Sequence, residues 1–282
     1  MSIKIVSSPN VYLVGCQQIN DAELDRFLAD NEVSTWTTDA EQAGEKLVEV
    51  AGRVCYFSFA KPRPGGHKAY IDHILEVGHG SVTEHAVFNF IISGVSRSFT
   101  HELVRHRAGT GFSQLSQRFV DESDCSFVMP PLILESAGRA TSGHFWGVSP
   151  DDDMNQALDK QIYIAWKESV EASQEAYKNL ASLIQARMDR TGVVADKTLR
   201  RKIAREAARS VLPNATETKI FLTANVRALR HIFEMRGGQA ADAEIRRVAV
   251  AMFEAVLPEA PDMFGDFEVS PSGTLSCKHH KI

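Results

Sequence analysis

The sequence predicts an α+β fold: a mixed or antiparallel sheet packed with helices, one of them long. Three features point there. Strand-like and helix-like runs are interspersed without the regular alternation that builds a doubly wound parallel sheet. Residues 86–92 are rich in β-formers, with Val87, Asn89 and Ile91 alternating against Phe88, Phe90 and Ile92. Residues 151–190 carry Met154, Leu158, Ile162, Trp166, Val170, Tyr177, Leu180, Ile184 and Met188 at helical spacing, the longest periodic pattern in the chain.

The elements follow in order. Residues 3–6 and 11–14 read as short strands, and the mostly polar stretch 18–39 gives no placement. Residues 41–51 have helical spacing through Ala43, Leu47 and Val50. A Pro/Gly loop covers 61–66, and a helix over 69–77 is stopped by Gly78. After the strand at 86–92, residues 98–106 read as a helix with Phe99, Leu103 and His106 near one face, ending close to Gly109. Residues 119–129 suggest a strand closed by Pro130-Pro131. Residues 136–149, rich in small and polar side chains, read as a surface excursion. Ser149 or Asp151 caps the long helix at its start and Gly192 at its end. Residues 197–212 make a helix that is basic on one side and stops at Pro213. A short strand at 219–223 precedes a helix over 225–236, ended by Gly237-Gly238, and another over 240–256. The expected organisation is a single domain over 1–270 and a flexible C-terminal tail over 271–282.

Bulk properties narrow the function. The chain has 282 residues, 44% of them hydrophobic and 24% charged, with a formal net charge of -5. A mildly acidic protein is poorly suited to sheathing a nucleic acid, which selects a basic face. Its arginine-rich motifs therefore suggest a pocket for a small anion. The four cysteines, Cys16, Cys55, Cys125 and Cys277, are scattered, and no Cys-x-x-Cys pair occurs. Free thiols fit a reducing cytosol. The first residues lack the apolar core of a signal peptide, and no apolar run is long enough to span a bilayer. A soluble cytoplasmic protein without membrane partners is the expectation. Neither the Rossmann glycine fingerprint nor a P-loop is present.

Four segments share one chemical character. The most informative is Arg105-His106-Arg107-Ala108-Gly109-Thr110-Gly111-Phe112-Ser113-Gln114-Leu115-Ser116-Gln117-Arg118. It sets guanidinium forks, which match phosphate or carboxylate, around a glycine-containing turn. The second is Gly78-His79-Gly80-Ser81-Val82-Thr83-Glu84-His85, with hydroxyls, a carboxylate and titratable histidines before a hydrophobic strand. The third, residues 208–218, is a basic helix end carrying Arg209 and broken by Pro213. The fourth, residues 225–238, puts Arg227 and His231 on one helix face with Arg236 at the end. Taken singly, each reads as readily as a capped turn or a solvated face. Cys55 is a nucleophile only if a base adjoins it, and a buried structural thiol is the more ordinary state. Cys277, His279 and His280 sit in a Ser/Gly/Lys-rich tail, where disorder or a weak adventitious metal site is expected. No resident metal is expected.

In this order the four segments resemble the flavin-dependent thymidylate synthases. The family signature is Arg-His-Arg followed by Ser-x-Arg, here Arg105-His106-Arg107 and Ser116-Gln117-Arg118. Similarity runs roughly over 37–269 and includes Asp242-Ala243-Glu244-Ile245-Arg246. The resemblance implies an α+β protomer of that family's type. It also implies a homotetramer whose active sites are shared between chains. The implied activity is that of a methyltransferase of dTMP biosynthesis. It converts dUMP to dTMP, with methylenetetrahydrofolate giving the carbon and FAD, reduced by NADPH, mediating one-carbon transfer and giving the hydride. The FAD contacts it implies are Ser81, Glu84, Arg105, His106, Arg107, Asn225, Arg227 and His231. The dUMP contacts are Glu102, Gln114, Ser116, Arg118, Arg209 and Arg236, with Arg118 and Arg209 on the phosphate. His79 is implied to lie near the folate. Arg236 is implied to stabilise negative charge developing on the pyrimidine, and Ser116 to position substrate, without a cysteine nucleophile.

Several positions depart from the family pattern. One residue is inserted within Ala108-Gly109-Thr110-Gly111, Thr110 or its neighbour replaces a common serine, Ala240 replaces a common histidine with Gln239 as a possible substitute, and Glu102 replaces a common glutamine. A catalytically impaired paralogue that binds nucleotide or flavin is therefore the alternative reading. A nucleic-acid module using Arg97, Arg105, Arg107 and Arg118 is the reading of a different class, opposed by net charge and by the lack of interleaved aromatic platforms.

Overall fold

The structure, a computed structural model, describes residues 3–61, 64–141 and 150–280, with the backbone alone at 139–141 and 150–153. The chain opens with β1 (Lys4–Val6) and β2 (Asn10–Cys16). Next come α1 (Asp21–Asp30), α2 (Ala43–Tyr56) and α3 (Gly66–Glu76). A 3-10 turn over Gly80–His85 leads into β3 (Val87–Ser96), α4 (Arg97–Leu103) and β4 (Thr110–Gln114). Then follow β5 (Ser126–Val128), α5 (Pro131–Thr141), α6 (Pro150–Thr191) and α7 (Lys197–Ala208). A second 3-10 turn, Arg209–Val211, precedes β6 (Glu217–Asn225), α8 (Val226–Arg236) and α9 (Ala243–Val256). After a third, Leu257–Glu259, come α10 (Pro261–Phe264), β7 (Phe267–Val269) and β8 (Leu275–Cys277). The predicted class holds: helices are mixed with a four-stranded sheet of order β2-β3-β6-β4, and α6 runs 42 residues.

The chain gathers into two compact units. The first comprises residues 1–9, 93–101 and 114–220, and the second comprises 10–92, 102–113 and 221–282. In the first, β1 pairs in parallel with β5, and Phe127 and Val170 are buried together beneath Trp166 and Leu212. Tyr177 of α6 is fully buried, and its hydroxyl accepts from the Glu122 amide. In the second, Leu28, Val33, Trp36 and Phe59 form one apolar cluster. Phe233, Phe253, Phe264 and Phe267 pack edge-on or tilted in another, with centroids 5.6–6.0 Å apart. There β7 and β8 pair antiparallel, so part of the stretch expected as a tail is a paired strand.

Several boundaries differ from the sequence reading, each for a local reason. The polar stretch 18–39 contains α1, capped by Asn20 through the Glu23 amide; only Leu28 of this helix is buried, which leaves little periodicity to read. The helix expected over 98–106 is α4, which ends at Leu103, so His106 stands beyond it. The strand expected over 119–129 contracts to β5, because Asp121 turns the chain by accepting the Ser123 amide and hydroxyl. Residues 136–141 are not an excursion but the second half of α5, which starts at Pro131 where a missing N–H costs nothing; residues 142–149 lie outside the described residues, as does Ser149 as a cap. The glycine-containing turn before Gln114 opens directly into β4, whose burial alternates from Thr110 onward. Cys55, expected buried, is exposed.

Candidate functional site

In the second unit, α8 organises the largest group of candidate residues. Asn225 is its N-cap: Oδ1 accepts the Ala228 amide at 2.8 Å, while the Asn225 amide donates to the Gly109 carbonyl at 3.0 Å. Gly109 has φ +69°, and a Cβ there would meet the Asn225 amide group at 2.6 Å. Glycine is thus required where the Arg-His-Arg turn crosses the start of α8. Two positions along α8, the exposed Arg227 pairs with Glu84 at 2.5 Å, bringing together two of the expected flavin contacts.

One turn further, His231 meets His106 edge-on with centroids 5.4 Å apart. Arg236, at the end of the helix, donates through Nε to His106 Nε2 at 2.9 Å and through Nη1 to Glu102 at 2.8 Å. An imidazole that accepts at Nε2 carries its proton on Nδ1 and is neutral. Burial pushes the His106 pKa down to about 4, and the positive charge of Arg236 and the neighbouring His231 add to the effect. The result is an arginine fork held by a carboxylate and a neutral ring. Arg105, Arg107 and Ser81 are exposed in the same unit. His79 stacks on Tyr56 at 6.2 Å with a 20° interplanar angle, and Tyr56 is 71% exposed. The sequence reading missed Tyr56, whose only signal was an aromatic beside Cys55.

The remaining candidates lie in the first unit. Gln114 donates to the Thr100 and Thr218 hydroxyls at 3.1 and 3.4 Å. Ser116 Oγ accepts the Arg118 amide at 3.3 Å, a local turn that fixes the arginine backbone. Arg118 pairs with Glu206 at 2.6 Å and lines a cleft of about 440 Å³ with Phe119, Arg201, Lys202 and Arg205. Those last three cations come from the basic side of α7, which the sequence marked without assigning a role. Arg209 stands close enough to Arg97 to repel it. Burial, above all, lowers the Arg97 pKa; Glu122 opposes this and Arg209 adds to it. Arg97 Nη1 is buried with no hydrogen-bond partner. Two guanidiniums so placed suit an anion that bridges them. The sequence reading named Arg97 only in the nucleic-acid alternative and left it out of the dUMP contacts.

Thiol chemistry is disfavoured at Cys125, which is buried, and at Cys277, which is partly so. Burial pushes Cys125 up to about 12 and Cys277 up to about 11, so neither is a thiolate near neutrality. Among the described residues, no helix is long and apolar enough to cross a membrane.

A family model described as "Thymidylate synthase complementing protein" matches residues 37–262, a span that includes segments of both units. A flavin-dependent thymidylate synthase of Mycobacteroides abscessus is 42% identical over 246 residues, 86% of this chain and 87% of the relative. One of Mycobacterium leprae is 46% identical over 247 residues, again covering 86% of this chain and 87% of the relative. Among solved structures, a UMP/dUMP methylase, PolB, from Streptomyces cacaoi with 5-Br dUMP superimposes with a TM-score of 0.60 at 22% identity, covering 93% of this chain and 96% of that one. The likeness to PolB shows a shared fold.

Proposed function

The chain belongs to the family of flavin-dependent thymidylate synthases, and on that premise we propose that it methylates dUMP to dTMP with FAD, methylenetetrahydrofolate and NADPH. The observation that carries this reading is the fork of Arg236 held between Glu102 and neutral His106, in the same unit as the Arg227–Glu84 pair. The donor set fits FAD: exposed Arg105, Arg107 and Arg227 offer guanidiniums to a pyrophosphate, and Ser81, Asn225 and His231 lie in the same unit. Held by these residues, FAD would supply the redox chemistry of hydride transfer.

The protein's own part is binding, orientation and charge. Arg118 and Arg209, joined by Arg97, hold the dUMP phosphate, while Gln114 and Ser116 position the nucleotide. Arg236 stabilises negative charge that develops on the pyrimidine, its orientation fixed by Glu102 and His106 before substrate arrives. His79, with Tyr56 extending its flat surface, receives the folate ring. His106 stays a neutral acceptor that helps to orient Arg236. Both units are read as one catalytic domain over 1–270, working in a cytoplasmic homotetramer with sites shared between chains. The inserted residue lies where Gly109, at φ +69°, turns the chain into β4.

Purified protein is expected to show visible flavin absorption and to form dTMP from dUMP, methylenetetrahydrofolate and NADPH. Arg118→Ala should weaken dUMP binding by about ten- to hundredfold, the loss of one charge-assisted contact, with the flavin spectrum unchanged. A colourless protein inactive with added FAD overturns the reading; unchanged dUMP affinity overturns the role of Arg118 alone.

A further inference from the structure

The second unit buries a separate cluster of ionisable side chains. Glu45 and Glu49 lie one turn apart on α2, His67 lies in the first turn of α3, and Asp262 lies in α10. Glu45, Glu49 and His67 are 2%, 1% and 3% exposed. Glu49 is fully engaged: Arg53 donates to Oε1 through Nε and Nη2 at 2.8 and 2.6 Å, and Thr38 donates to Oε2 at 2.5 Å. His67 Nδ1 also meets Oε2, at 2.8 Å, which fixes the imidazole proton on Nδ1. The other nitrogen, Nε2, is buried with no hydrogen-bond partner. It faces Glu45 Oε2 at 3.8 Å and Asp262 Oδ2 at 3.9 Å, both too far for a hydrogen bond. The remaining Glu45 oxygen accepts the Asp262 and Met263 amides at 2.7 and 3.2 Å, which presents Oε2 to His67.

Nitrogen and oxygen donors thus converge from three helices, all within 4.8 Å of one another. We propose that Glu45, His67 and Asp262 form a divalent-cation site, suited to zinc, that ties α2, α3 and α10 together. Zinc bonds of about 2.0–2.2 Å separate ligand atoms by roughly 3.3–3.7 Å, so the two carboxylate oxygens at 3.8 and 3.9 Å from His67 Nε2 lie close to that spacing. Two carboxylates balance a doubly charged ion, and His67 Nε2 adds the nitrogen donor. Glu49 is the outer carboxylate that orients the histidine ligand and raises its basicity. Asp262, at 22% side-chain exposure, marks the rim through which a water completes the coordination. Lys68 reaches Asp262 at 3.9 Å but pairs more closely with Asp72, at 3.0 Å on the surface, and yields to the ion. The site is independent of the proposed methyl transfer.

The test uses tag-free full-length protein, stripped with a chelator, equilibrated with Zn²⁺ and assayed for bound metal by atomic emission. Wild type, Asp262→Asn, His67→Gln and Cys277→Ser are compared, the last removing the thiol of the separate Glu234, Cys277 and His280 group. One equivalent is expected in wild type and in Cys277→Ser, with a thermal midpoint that rises with Zn²⁺. Affinity should fall by at least about tenfold in Asp262→Asn and His67→Gln. Failure of wild type to retain zinc, or retention undiminished in Asp262→Asn, overturns the proposal. If His67→Gln does not fold, the rim variant Asp262→Asn decides alone.

Discussion

Single residues here have their chemistry set by neighbours distant in sequence. His106 belongs to an Arg-His-Arg triplet, and its position invites the reading of a charged, surface imidazole. Burial and the Arg236 guanidinium instead hold it neutral, with a pKa of about 4 against 6.5 for the free ring. Between those two values the unfolded chain binds a proton that the folded chain refuses. His106 therefore leaves stability unchanged above about pH 6.5 and lowers it as the pH falls toward 4. Thermal midpoints should drop more steeply over that window in wild type than in His106→Gln; equal slopes would sink the assignment. The triplet itself was legible in the sequence, but the protonation state was not, because Arg236 lies far along the chain. Arg97 was visible as one of several arginines, but its approach to Arg209 was not, for the same reason.

Elements show the same division. Helix α8 was readable from its arginine and histidine spacing and from the glycines that follow it. Its start is more instructive: Asn225, implied by family resemblance as a flavin contact, is also the cap of the helix. Asn225→Ala should lower unfolding free energy by about 0.5–2 kcal/mol in urea titration, the usual worth of a cap. A change near zero would mean the Gly109 carbonyl and water replace it. Strand β4 escaped sequence reading because two glycines in its vicinity read as a turn, whereas pairing beside β6 makes it a strand. Terminal elements α10, β7 and β8 are too short to carry a period, and tertiary hydrogen bonds such as Arg230 to Asp266 at 2.6 Å define them.

At the scale of the molecule, the long helix carries the clearest unspent apolar surface. Val170, Tyr177 and Met188 of its stripe are buried, but Met154, Leu158 and Ile162 are 62%, 50% and 44% exposed. An apolar stripe left outside on a single chain supports burial against further copies, as the proposed homotetramer requires. Ile162→Asp should shift the assembly toward smaller species in size-exclusion chromatography with light scattering. A tetramer of undiminished stability would place the contact elsewhere.

By itself the sequence determined the α+β class, the long helix and the four arginine-bearing segments, because periodicity, glycine punctuation and residue chemistry are local properties of a chain. Tertiary structure alone decided which side chains meet: Arg236 with Glu102 and His106, Arg227 with Glu84, and Glu45 with His67. Those meetings depend on distances in space between residues remote in sequence, and burial beside Arg236 holds His106 neutral where composition leaves it at its ordinary value.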